Sequence, residues 1–203
     1  EFFHHVSKGR VQRCPSACQE ALAPPVGDIG TRPSSPRSPP RRQKHSSHDL
    51  AGKSVPAGGK GKEYGRRVHA AAEMLAYGHE PEEELEELPR IRTVLSGLEG
   101  AELMTEVECF LPLHEAVVRG AADLVAVFPD RVEVHDFKTD GNRRNEDAYR
   151  VQVSVYAHAA ASLGLPVRCF LQYLSQSITV EVDALPLTEL QARADRLRTC
   201  NDI

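Results

Sequence analysis

The sequence predicts an α/β fold, a mixed sheet with helices on its faces, and three observations carry that prediction. Two alternating segments, Gly120-Ala121-Ala122-Asp123-Leu124-Val125-Ala126-Val127 and Val132-Glu133-Val134-His135-Asp136-Phe137-Lys138, flank a Pro129-Asp130 turn as two arms of a hairpin. Apolar residues at helical spacing both precede and follow that hairpin. Two shorter strand-like runs come after the second helix. The order is helix, three strands, helix, two strands, helix, which packs as a layered α/β arrangement.

The elements follow in order. Tyr64, Val68, Ala71, Ala72 and Leu75 fall at helical spacing and end near Gly78. The run Glu80-Pro81-Glu82-Glu83-Glu84-Leu85-Glu86-Glu87-Leu88 reads as an exposed acidic helix or loop. Thr105-Glu106-Val107-Glu108-Cys109-Phe110-Leu111 alternates as a strand, and the hairpin comes next. Asn145 reads as an N-cap with Glu146 and Asp147 in the first turn. Its helix places Tyr149, Gln152, Val153, Tyr156, Ala160 and Leu163 at helical spacing and stops at Gly164 before Pro166. Residues 167–174 and 178–182 read as strands, and residues 188–198 as a closing helix.

The chain has 203 residues and 40% hydrophobic content, enough for one domain plus a tail. Residues 1–62 hold 8 of the 14 prolines and carry 11 Lys/Arg against 4 Asp/Glu, which marks a basic Pro/Ser/Gly-rich arm or linker expected to be disordered. Residues 63–203 carry 14 Lys/Arg against 25 Asp/Glu and form the expected folded domain. A basic arm beside an acidic domain suits a polyanion such as nucleic acid, although a solvated linker has the same composition. No apolar run approaches the ~20 residues that span a membrane, and no signal-peptide pattern opens the chain, so an intracellular, cytoplasmic or nucleoid-associated protein with no membrane partner is expected. The first residue is Glu1 rather than Met, as in a processed product or a piece of a longer protein. The five cysteines, Cys14, Cys18, Cys109, Cys169 and Cys200, have no repeating spacing and imply neither a disulfide framework nor a complete metal site.

The hairpin also carries the chemistry. Strand side chains repeat every two residues, so Asp136 and Lys138 share a face, as do Asp123, Val125 and Val127. A turn symmetric about Pro129-Asp130 makes paired residue numbers sum to 259 and sets Asp123 opposite Asp136. Like charges directly opposite in an antiparallel pair repel, and a divalent cation is the simplest way to neutralise them. Mg²⁺ takes one or two carboxylates and completes its shell with water and phosphate oxygens. Lys138 is then placed to hold a phosphate or an attacking water.

Taken together, Gly65-Arg66-Arg67-Val68-His69 on the first helix, Asp123, Asp136-Phe137-Lys138, and Gln152 with Tyr156 four residues later resemble the RecB-type branch of the PD-(D/E)XK nuclease superfamily. Such domains occur at the C-terminus of UvrD-like and AddAB-like helicases and in CRISPR-associated exonucleases. The resemblance covers roughly residues 61–183. It implies a restriction-endonuclease-like αβββαβ core and Mg²⁺- or Mn²⁺-dependent hydrolysis of DNA phosphodiesters. It implies that Asp123 and Asp136 bind the metal with help from His69, and that Lys138 is the catalytic lysine. Gln152 and Tyr156 match the QxxxY signature that meets DNA, and residues 106–110 match the first core strand. DNA ends or single strands are the implied substrate, with a helicase domain or subunit as partner and repair or recombination as setting.

Other features carry less. Gly52-Lys53-Ser54 lacks the upstream glycine and strand of a phosphate-binding loop. His4-His5 and the Cys14/Cys18 pair lack further spaced ligands. An iron–sulfur cluster is not expected, because only Cys200 follows the core. Two other readings remain open: a catalytically silent nucleic-acid-binding or scaffolding module of the same fold, and a structure-specific endonuclease.

Overall fold

The computed structural model describes residues 43–52 and 60–201. The expectations for residues 1–42 and 53–59, including His4-His5, Cys14, Cys18 and Lys53-Ser54, fall outside the described residues. Eleven strands and α-helices are described, besides two 3-10 turns at Ala161–Leu163 and Leu174–Gln176: β1 (Gln43–Ser46), α1 (Ser47–Ala51), α2 (Lys62–Ala76), α3 (Leu88–Ser96), β2 (Glu102–Pro112), β3 (Ala116–Val127), β4 (Val132–Lys138), α4 (Glu146–Ala160), β5 (Val167–Tyr173), β6 (Ile178–Val182) and α5 (Leu187–Asn201). The mixed α/β architecture with flanking helices is the predicted one. Three elements are additions to it: β1, α1 and α3. The first two lie in the stretch expected to be linker, where a strand and helix instead dock on the sheet.

The six strands form one mixed sheet in the order β1-β3-β4-β5-β6, with β2 also paired to β3. β2 runs antiparallel along β3 from Glu102–Val127 to Pro112–Val117. The opposite edge of β3 is shared. β4 pairs antiparallel with it over Leu124–His135 to Val127–Val132, and β1 pairs parallel over Gln43–Ala116 to Ser46–Arg119. Because the two strands approach from opposite ends, both C-termini point into the gap beside residues 120–123. The sheet forks there, and ligands of open α/β sheets gather at such a break in strand order, outside the carboxyl ends of the strands.

β4 is buried along nearly its whole length, as a strand covered on both faces must be. Val132 and Val134 enter one hydrophobic cluster with Val151, Val155 and Tyr156 of α4 and Leu190 of α5. Phe137 enters a second with Val68, Ala71 and Ala72 of α2 and Ile91 and Val94 of α3. Each such buried Val, Leu, Ile or Phe side chain contributes about 1.5–3 kcal/mol. Two polar residues of β4 share the second face. Glu133 lies 2.7 Å from Arg131 Nε, and His135 stacks on Phe170 at 4.9 Å between ring centroids while bonding to Gln172 Nε2. Burial lowers the His135 pKa to about 4, so the ring is neutral in the fold.

Candidate active site

The hairpin register agrees with the sequence argument. All four β3–β4 pairs sum to 259, and the ladder ends at Leu124–His135, so Asp123 and Asp136 are next in line at the fork. There the strands part, and the Asp123 side chain takes over the pairing: Phe137 N–H donates to Asp123 Oδ2 at 2.7 Å. The simple face assignment for Asp123 needs correction. Ala122 and Val125 both enter the α4-side cluster while Leu124 and Ala126 enter the other, so alternation slips by one at Asp123. Asp123 therefore leaves the face of Val125 and Val127 and turns into the fork.

The neighbouring strand slips at the same level. Glu106 has φ +49°, and the β2–β3 ladder skips from Thr105–Leu124 to Val107–Ala122, which puts Glu106 opposite Asp123. Glu106, Asp123 and Asp136 thus occupy successive positions across three adjacent strands. His69 of α2 closes the group from above. Ligand-competent atoms of His69, Glu106 and Asp123 all lie within 4.8 Å of one another, and such a group could hold a metal ion. Asp136 stands outside that cluster, fully buried behind it.

His69 Nε2 lies 3.0 Å from the Phe137 carbonyl, and an imidazole meets a carbonyl there by donating. Its Nδ1 then faces Asp123 Oδ1 at 3.3 Å. In a neutral ring this opposes two lone pairs, so a proton or a cation must sit between them. Burial works against the charged ring, yet the Asp123 carboxylate outweighs it and raises the His69 pKa.

The two aspartates are pushed apart in acidity. Burial works to raise Asp123, but the hydrogen bond and charge of His69, followed by Lys138, bring it below the ordinary value. For Asp136, burial dominates, the Asp123 charge adds to it, and Lys138 opposes, leaving it pushed up to about 6. Lys138 Nζ lies 2.5 Å from Asp136 Oδ2, but neither carboxylate oxygen has a well-formed hydrogen bond. A buried carboxylate so poorly satisfied is costly to ionise without further positive charge. Glu106 is raised as well, first by burial and then by Asp123.

Lys138 also donates to Gln152 Oε1 at 3.3 Å and sits 4.3 Å above the Tyr149 ring. Burial would lower its pKa, but Asp136 and Asp123 outweigh that and hold it above the ordinary value. Gln152 is the hub of a short network. Its Nε2 donates to Tyr156 Oη at 2.9 Å and lies 3.4 Å from His48 Nε2. Tyr156 is 1% exposed and also meets Ser47 Oγ at 3.3 Å. So Gln152 faces the fork, while Tyr156, expected to meet substrate directly, braces Gln152 and the start of α1. Gly120 makes this brace possible: a Cβ there would meet Ser47 Oγ and Tyr156 Cε1 at 2.6 Å each.

His69, Glu106, Asp123, Lys138, Gln152 and Tyr156 line one cavity of about 1250 Å³, walled by β1–α1, the start of α2 and the exposed strip of β2–β3, while Asp136 lies buried behind that lining. Glu106, Ser47 and His48 were missed as site residues from sequence. For Glu106 a signal existed. Turn symmetry about His114-Glu115 makes β2–β3 pairs sum to 229, which the observed ladder obeys. For Ser47 and His48 there was none, since they reach the site through tertiary docking. Cys109 and Cys169 are buried free thiols within strands. Among the described residues no helix is long and apolar enough to cross a membrane.

No protein-family model matches the chain. No curated protein matches it either. Among solved structures, the chain is similar to SSO0001, with 17% identity and a TM-score of 0.45 over 82% of this chain and 79% of that one. It is also similar to a protein from Eubacterium rectale named "Putative exonuclease", with 12% identity and a TM-score of 0.45 over 77% of this chain and 78% of that one.

Proposed function

We propose that the chain is a Mg²⁺- or Mn²⁺-dependent deoxyribonuclease of RecB type that hydrolyses phosphodiesters from DNA ends or single strands. The observation that carries this reading is the row Glu106–Asp123–Asp136 at the sheet fork, with His69 and Lys138 converging on it. The donor set fits a hard divalent cation: carboxylate oxygens, one imidazole whose free nitrogen faces a carboxylate, and a buried aspartate with unsatisfied oxygens. His69, Glu106 and Asp123 would hold the ion, with Asp136 joining them. When bound it supplies an activated water and charge neutralisation at the phosphate.

The chain's own residues supply the rest. Lys138, held between Asp136 and Gln152, presents a compact positive charge to a phosphate oxygen or orients the attacking water. Gln152 offers an amide to the substrate and is fixed by Tyr156. His69 is positioned by the Phe137 carbonyl, which sets the ring nitrogen it turns toward Asp123. Exonucleolytic action, a role in repair or recombination, and a helicase domain or subunit as partner are proposed on the resemblance to RecB-type domains alone.

The test is degradation of end-labelled linear and covalently closed circular DNA by wild type and Asp136→Ala, with Mn²⁺, Mg²⁺ or EDTA. Metal-dependent loss of linear DNA that disappears in the variant supports the reading, and sparing of the circle supports exonuclease action. A folded wild type that cleaves neither substrate with either metal refutes it, in favour of the silent binding module.

A further inference from the structure

The cavity extends well beyond the carboxylates. Its floor is a strip of alternate residues: Glu106, Glu108 and Phe110 from β2 beside Arg119 and Asp123 from β3. In the ladder Phe110 pairs with Arg119, and on the other edge of β3 Lys44 pairs with Val117. At ~3.4 Å per residue, Phe110 lies on the order of 14 Å along the strand from Glu106. One end of the cavity therefore holds the carboxylates with His69 and Lys138, and the other sets an aromatic ring beside Lys44 and the Arg119–Glu108 pair.

Phe110 is half-buried and belongs to neither hydrophobic cluster. An aromatic on a cavity floor, outside the core, has its ring available to a ligand. The Lys44 side chain is exposed. Arg119 is held by Glu108 at 2.8 Å, which fixes its position beside Phe110. Stacking rings with adjacent cations are how proteins grip single strands without reading sequence.

Resting on the nuclease reading, we propose that this end of the cavity is a subsite for single-stranded DNA a few nucleotides from the scissile bond. One base stacks on Phe110 while Arg119 and Lys44 hold the neighbouring phosphates. The residues 43–51 segment thus does more than close the sheet edge. It forms one wall of a substrate channel, which threads a single strand toward the carboxylates.

The experiment measures binding of a fluorescein-labelled oligothymidylate to the full chain by anisotropy, in EDTA and in Ca²⁺, across a salt series. Phe110→Ala weakens binding by roughly 5- to 150-fold, as loss of one base stack does, and Phe110→Tyr retains it. The Lys44→Ala/Arg119→Ala double variant lowers the slope of log K against log salt by about 1.4, or ~0.7 for each lost phosphate contact. Wild-type hydrolysis of bis(p-nitrophenyl) phosphate with Mn²⁺, run in parallel, reports on the carboxylate centre alone. If the wild type hydrolyses that diester but neither Phe110→Ala nor the double variant alters oligonucleotide binding, the subsite is overturned and the nuclease reading stands. If the wild type neither hydrolyses the diester nor binds the oligonucleotide, both fall. Should Phe110→Ala fail to fold, the salt slope of the double variant decides the proposal.

Discussion

Replacing Asp136 with Asn should stabilise the metal-free protein at neutral pH, by an amount that grows as pH rises. The Asp136 carboxyl is fully buried and pushed from the ordinary 3.8 to about 6, which corresponds to about 3 kcal/mol at 1.36 kcal/mol per pH unit. An acid whose folded pKa exceeds its unfolded one contributes stability below the unfolded value, and that contribution is lost as pH climbs through the folded value, here from about 4 to 6. His135 works in the opposite sense. Lowered from 6.5 to about 4, it favours the unfolded state at low pH, and stability returns by roughly 3 kcal/mol as pH rises through the same window. These two slopes nearly cancel in the wild type, and of the two Asp136→Asn keeps the His135 rise. Lys138 retains Gln152 and the Tyr149 ring, so the lost charge does not strand it. Thermal and urea denaturation in EDTA should show no difference near pH 4 and about 3 kcal/mol in favour of the variant at pH 7. At 2–4 °C per kcal/mol for a chain of this size, that is roughly 6–12 °C in Tm. Saturating Mn²⁺ should close the gap, since ligand at 100 Kd adds about 2.7 kcal/mol to the form that binds it. A variant no more stable than wild type at pH 7 in EDTA, or a gap that ignores pH, would refute the reasoning.

Four further outcomes are expected. Glu106→Gln, which removes a carboxylate that would hold the ion, should weaken Mn²⁺ affinity by at least the roughly 10- to 100-fold lost with a mere supporting group, as read by calorimetric titration; unchanged affinity removes Glu106 from the site. Lys138→Ala should lower the rate of DNA cleavage by about 10²- to 10³-fold while leaving Mn²⁺ affinity nearly intact, and Lys138→Arg should not restore it. Mn²⁺ affinity should fall as pH drops from 8 to 6, because His69 must lose its proton to ligate and its pKa is raised by Asp123; the loss should begin above pH 6.5, and flat affinity across that range contradicts the assignment. Gly120→Ala should cost about 1–3 kcal/mol through overpacking against Ser47 and Tyr156, and a Tm equal to wild type would show that the brace can yield.

What could be read in advance was local. β4 and β6 coincide with their expected spans, since a period of two and a tight turn fix register without reference to the rest of the fold. The same arithmetic placed Asp123 beside Asp136. It did not foresee that the ladder would break one pair earlier, because alternation says nothing of a bulge, and Glu106 at positive φ breaks no compositional rule. Asn145 occupies the N-cap position of α4, but its side chain makes no cap hydrogen bond, so composition identified the boundary and not the contact. β1 and α1 were invisible for a different reason. Gln43-Lys44-His45-Ser46 has no apolar periodicity, and it becomes a strand because the edge of β3 offers it hydrogen bonds. Tyr156 was found by its spacing from Gln152, but spacing could not show that Ser47 and Gly120 enclose it. Contacts made by distant segments decided those parts of the site.

The most direct test of the central claim, that the carboxylate row at the sheet fork binds a divalent cation, is calorimetric titration of the full chain with Mn²⁺ at pH 7.5, beside Asp123→Asn. Asp123 touches both His69 and the Phe137 backbone and stands opposite Glu106, so the account predicts saturable binding by the wild type that is abolished in the variant. Equal Mn²⁺ binding by the two proteins, or none by a folded wild type, would contradict it.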